Sequence, residues 1–188
     1  MDKVFDGFVR TQFDDGMALA TESDLFDLVP LDPPPLVRRY IACFHCTGLV
    51  RAASGEIAEA NQFAVGIAFP DDYLRRVEPS HVLTWLTPGE IFHPNIRAPF
   101  ICVGRMGPGT SLVDLLYQIH EIITYNKATV REDDALNVDA CQWARANAHR
   151  LPVDRRPLKR RRGEAADGAN AVGRLPVERT GMPDEVSE

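Results

Sequence analysis

In the run His93-Pro94-Asn95-Ile96-Arg97-Ala98-Pro99-Phe100-Ile101-Cys102, a thiol follows a His-Pro-Asn turn by a few residues. A nucleophile and a side-chain amide donor therefore share one short loop. Acyl transfer through a thioester needs both: sulfur carries the acyl group, and a fixed N–H donor meets the charge that develops on the carbonyl oxygen. A lone cysteine is ordinarily a buried structural residue. The thiol alone decides nothing, and the order of the residues around it carries the information. An apolar stretch of helical period follows Cys102, and Asp133-Asp134-Ala135-Leu136-Asn137 follows that.

The clearest element around this loop lies just after it. Leu112, Leu115, Leu116, Ile119, Ile122 and Ile123 form one stripe of an α-helix. Ser111 with Asp114 makes a capping-box start, and Gly107-Pro108-Gly109 keeps upstream structure from running into it. A last helix is predicted from Asn137 as N-cap through Cys141, Trp143 and Ala144 to about His149. Before the loop, residues 37–50, 62–69 and 82–86 read as strands, closed by Ser54-Gly55, Pro70-Asp71-Asp72 and Thr87-Pro88-Gly89. Short strands joined by tight polar turns predict an antiparallel meander, because parallel strands need long crossovers.

At the N-terminus, residues 3–22 predict a helix around Val4, Phe8, Met17 and Leu19, weakened by the interior Gly16. Asp32-Pro33-Pro34-Pro35 then forces an extended break. The expected fold is thus a single α/β (α+β) domain over residues 1–150: an N-terminal helix, a four-stranded antiparallel meander sheet and C-terminal helices. Residues 151–188 are rich in Pro, Gly, Arg and Glu with few large apolar side chains. Such a composition buries too little surface to offset ordering entropy and predicts a disordered tail.

Composition narrows the class. The 188 residues are 45% hydrophobic, enough for a core, with net charge −6 and a sequence pI near 5.4, so general nucleic-acid binding is not expected. Four cysteines in a chain this long do not make a disulfide scaffold. Met1-Asp2-Lys3-Val4-Phe5-Asp6 lacks the regions of a secretion signal. The longest apolar run, residues 63–69, is far shorter than the roughly 20 residues that span a bilayer. A cytoplasmic protein with no membrane partner and a free Cys102 thiol is expected.

The sequence of His93-Pro94-Asn95-Ile96, a loop ending at Cys102, a helix with a Leu/Ile stripe, then Asp-Asp-x-Leu and a closing helix resembles the ubiquitin-conjugating enzyme family. The likeness covers roughly residues 60–148. Phe63 to Tyr73 is similar to that family's strand ending in Phe-Pro-x-x-Tyr. The likeness points to a divergent prokaryotic branch whose members sit beside an activating enzyme and a ubiquitin-like protein. Operons of this kind are associated with antiviral defence and commonly include a metallo-isopeptidase.

The resemblance implies roles for individual residues. Cys102 would accept the modifier's C-terminal glycine as a thioester. Asn95 would support the oxyanion and the loop, and His93 would hold that loop by hydrogen bonds. Asp134, with Asp133 as the alternative, would orient the incoming lysine and take its proton, although both serve equally well as solvated loop charges. The implied partners are an adenylating activating enzyme, a ubiquitin-like protein and a target protein amine; no metal or small cofactor is implied. Two departures stand out: the family's tryptophan shortly after the cysteine is absent, with residues 104–109 in its place, and the N-terminal helix lacks a clear basic and leucine pattern.

A thioester is reactive enough for an amine to attack without a strong base, so positioning, an oxyanion donor and lysine desolvation matter more than a triad. Two rivals remain. One is the same fold without catalysis, binding a ubiquitin-like protein or its activating enzyme; the other is a small cysteine hydrolase with His93 or His120 as base. Cys43-Phe44-His45-Cys46 suggests a metal pair, but positions i and i+3 of a strand face opposite sides. Arg155-Arg156-Pro157-Leu158-Lys159-Arg160-Arg161-Arg162 reads as a solvated basic segment able to dock on an acidic surface; without interleaved aromatics, base-specific recognition is not expected.

Overall fold

A computed structural model describes residues 2–159 of the chain. The elements run α1 (Lys3–Thr21), β1 (Phe26–Pro30), β2 (Arg39–Phe44), β3 (Gly48–Arg51), β4 (Ile57–Ala60), β5 (Phe63–Ala68), a single helical turn α2 (Pro79–Val82), β6 (Leu83–Thr87), the short pair β7 (Ile96–Arg97) and β8 (Phe100–Ile101), α3 (Leu112–Ile123) and α4 (Val138–Ala146). Short 3₁₀ turns cover Glu132–Asp134 and Ala148–Arg150. The fold is mixed α/β, with an N-terminal helix, a four-stranded antiparallel sheet in the order β1-β2-β5-β6, and C-terminal helices.

The four-strand count agrees with expectation, but the identity of the strands does not. The first strand, β1, precedes the prolines and pairs along its length with β2, from Phe26 opposite Phe44 to Pro30 opposite Tyr40. Pro33-Pro34-Pro35 therefore lies in the β1–β2 connection, where a missing N–H costs no ladder bond. Asp32 closes that connection by accepting from the Arg38 and Arg39 backbone N–H groups at 3.0 and 2.8 Å. The stretch 37–50 is two strands, broken at His45-Cys46-Thr47. After the break, β3 pairs with β4 in a separate hairpin around Gly55, whose φ of 87° favours glycine. The meander is thus interrupted by an excursion between β2 and β5.

One face of the sheet carries Leu28, Tyr40, Ala42, Phe44, Phe63, Val65, Ile67 and Trp85, all buried under α1 and α3. The Leu/Ile stripe of α3 is buried as expected, and Ser111 caps the helix by accepting from the Asp114 N–H at 3.0 Å. Helix α1 spans nearly the expected range: Phe5, Val9, Gln12, Gly16 and Leu19 are buried, Phe8 and Met17 pack against the core, and Val4 is exposed. Its stripe contains a glutamine and a glycine for reasons of packing. Gln12 accepts the Leu112 N–H at 2.7 Å, and a Cβ on Gly16 would lie 2.7 Å from Leu112 Cδ2.

The domain does not stop at residue 150. Residues 151–159, assigned to the tail on composition, lie against the body. Leu158 is buried in the main core, the Ser23 hydroxyl donates to its carbonyl at 2.5 Å, and the Val153 N–H donates to the Thr124 carbonyl at 3.0 Å. Burial alone would raise the Asp154 carboxyl, but Arg156 and the Thr47 and Arg156 backbone N–H groups hold it down at about 2. The rest of the expected tail lies outside the described residues. No helix among the described residues is long and apolar enough to cross a membrane.

Candidate functional site

The β7–β8 hairpin delivers Cys102 to its place. Ile96 pairs with Ile101 and Arg97 with Phe100, and the Cys102 N–H extends this ladder by donating to the Asn95 carbonyl at 2.8 Å. The hairpin is fixed to the main sheet by the Trp85 N–H, which donates to the Pro99 carbonyl at 2.8 Å. Cys102 is half-buried and a free thiol.

Asn95 grips the cysteine's peptide from both sides. Besides accepting from the Cys102 N–H, it donates through Nδ2 to the Cys102 carbonyl at 3.1 Å, and its Oδ1 accepts the Thr129 N–H at 2.8 Å. That last bond fixes which end of the amide is oxygen. Nδ2 carries two protons, and one of them is committed to the loop.

His93 lies beneath this arrangement, fully buried. Its Nδ1 accepts the Asn95 N–H at 3.0 Å, which requires an unprotonated Nδ1, and its ring meets Tyr125 edge-on at 4.3 Å between centroids. Burial pushes the imidazole down to about 3, offset only in part by the Lys127 backbone; Nε2 itself finds no partner of normal hydrogen-bond geometry. A neutral, enclosed histidine with its one acceptor already used holds the loop and does not serve as a base. His120 is likewise buried, on α3, and burial lowers its pKa.

The acidic segment is tied to the same turn through its far end. The Leu136 and Asn137 N–H groups both donate to the Pro94 carbonyl, at 2.9 and 3.1 Å. The carboxylates themselves point to other work. Asp133 and Asp134 have side chains 66% and 59% exposed, and both pair with Arg131, at 2.5 and 3.3 Å. Neither lines the groove beside Cys102. That groove, of about 280 Å³, is walled by Pro79, Ser80, Phe100, Cys102 and Leu136, with Glu78 at its rim.

Sequence reasoning missed three members of this site. The Lys127 ammonium donates to the Val103 carbonyl at 2.7 Å, which places a positive charge on the loop just after the cysteine. Thr129 holds Asn95, and Glu78 shares the groove. None of these lies at a fixed spacing from Cys102 that a pattern would register. Other candidates fall elsewhere. Cys43 sits on the outer side of β2 opposite Asp27 and Ala64, while Cys46 is buried in the core, where burial pushes its thiol up to about 12. Arg156 and Lys159 of the basic segment pair with Asp154 and Glu22; Arg160-Arg161-Arg162 lie outside the described residues. A larger cleft, of about 1110 Å³ between the β3–β4 hairpin and residues 88–92, is lined by none of the predicted site residues. The smaller groove, by contrast, contains Cys102, the predicted nucleophile.

Compared with known proteins, the chain matches no family model and no curated protein.

Proposed function

We propose that the chain accepts the C-terminal glycine of a ubiquitin-like protein as a thioester on Cys102, from an adenylating activating enzyme, and passes it to a target amine. The fold that goes with this reading is that of the ubiquitin-conjugating enzymes. The observation that carries it is the Asn95 clamp: one residue holds both the N–H and the C=O of Cys102, and its Nδ2 keeps a second proton with which to meet an oxyanion formed at that sulfur. A half-exposed thiol on a braced hairpin, beside an open groove with no histidine among its lining residues, suits transfer between two large substrates better than hydrolysis.

The test is charging. The chain, its activating enzyme, the modifier and Mg-ATP should give an adduct on a non-reducing gel that collapses with dithiothreitol. Cys102→Ser should give either no adduct or one that survives the thiol. Wild-type protein giving only a non-covalent complex would remove the conjugation reading. It would favour a binding module of the same fold, a reading supported by the fact that both polar ends of Asn95 are already engaged.

A further inference from the structure

The residue expected to meet the target amine was Asp134, or Asp133. Both carboxylates belong to a surface cluster with Arg131, and neither borders the groove where an amine must approach the sulfur. One acidic residue does line it. Glu78 stands at the N-terminus of the α2 turn with an extended backbone, its side chain caps nothing, and it forms no ion pair among the described residues. On its other side Glu78 shares a small hollow with Asp72, Arg76 and His81, none of which pairs with it.

The rest of the groove has a matching character. Phe100, 54% exposed although aromatic, stands with Pro79 and Leu136 around Cys102. An apolar wall with one unpaired carboxylate at its rim fits a cation on an alkyl stem: the methylenes lie on the wall and the ammonium meets the acid. We propose that Glu78, in place of Asp133 or Asp134, is the carboxylate that receives the incoming lysine. This inference rests on the conjugation reading. Glu78 holds the lysine as its ammonium, which loses one proton to solvent. The neutral nitrogen then attacks the thioester carbonyl, the new C–N bond forms as the C–Sγ bond breaks, Cys102 leaves as thiolate, and the surplus proton passes from nitrogen to Glu78 and on to water.

The test uses the full chain charged with a fluorescent peptide ending in a Gly-Gly mercaptoethanesulfonate thioester, with Cys102→Ser subtracting label on Cys43. Discharge is timed against free lysine and against hydroxylamine, which is neutral at pH 7 and has no stem. Glu78→Gln should slow lysine discharge about tenfold or more while hydroxylamine discharge changes by less than about twofold. Glu78→Asp should recover part of the loss. Normal charging with lysine discharge unchanged in Glu78→Gln overturns the inference alone, as does a loss seen in Asp134→Asn or Asp133→Asn instead. A loss equal for both nucleophiles also overturns it, since that marks a structural role. Absence of any Cys102 adduct on the wild-type chain overturns the conjugation reading and this inference with it.

Discussion

At the scale of single residues, Asn95 and His93 form a support whose parts depend on one another. Asn95→Ala leaves the Thr129 N–H and the Cys102 carbonyl unpaired in a half-buried setting. We expect a loss of about 1–3 kcal/mol, read as a lower urea midpoint at unchanged slope. His93 gives a pH signature. Its folded-state pKa, about 3, lies below the unfolded value near 6.5, so between these pH values only the unfolded chain holds the proton. The stability this group provides is therefore complete above pH 6.5 and falls by about 1.4 kcal/mol per pH unit as pH drops towards 3. His120 adds in the same direction. Melting curves from pH 7.5 to 4.5 should show this fall, and His93→Asn, which keeps an acceptor for the Asn95 N–H, should make it shallower. An unchanged slope would mean that the ring is reached by water.

At the scale of elements, the β7–β8 hairpin and the turn after α3 matter more to the site than the long helices do. Gly48, where β3 begins, shows how tightly β3 meets β5 and the end of α3. A Cβ there would lie 2.7 Å from Phe63 Cζ, 2.9 Å from Ile123 Cγ2 and 3.0 Å from the Ile123 carbonyl. Alanine would ordinarily improve a strand that carries glycine. Here Gly48→Ala should destabilise by about 1–3 kcal/mol through overpacking, measured by denaturant unfolding. The strands also show where pattern reading fails. Residues 62–69 and 82–86 announced themselves by composition. The strand β1 did not, because Phe26-Asp27-Leu28-Val29-Pro30 is short and is stabilised by pairing with β2 rather than by its own propensity. Helix α1 was legible as a helix, but its inward stripe was not, because two of the residues in it are polar or lack a side chain.

At the scale of the molecule, the C-terminal strap extends the domain past the point where composition changes. Leu158 is only 1% exposed, and Leu158→Ala should cost about 2–5 kcal/mol. A chain ending at Arg150 should lose more, since the Thr47 N–H and the Ser23 hydroxyl lose their partners as well. Thermal melting of both against the full chain checks this. A truncated chain as stable as the parent would show that the strap only rests on the surface.

The sequence by itself determined that Cys102 and the Asn95 amide share one loop, the α3 stripe and its cap, and the turns at Ser54-Gly55 and Pro70-Asp71-Asp72. All of these are local: a few neighbouring residues and one period are enough to specify them. Tertiary structure decided which groups surround Cys102, because Glu78 and Leu136 reach its groove, and Lys127 the Val103 carbonyl, from separate parts of the chain along connections that leave no periodic mark. It also decided that Asp133 and Asp134 would spend their charge on Arg131, and that residues 151–159 would lie against the body with Leu158 in the core. One buried leucine and a paired Asp154 outweigh a polar composition once a surface exists to receive them.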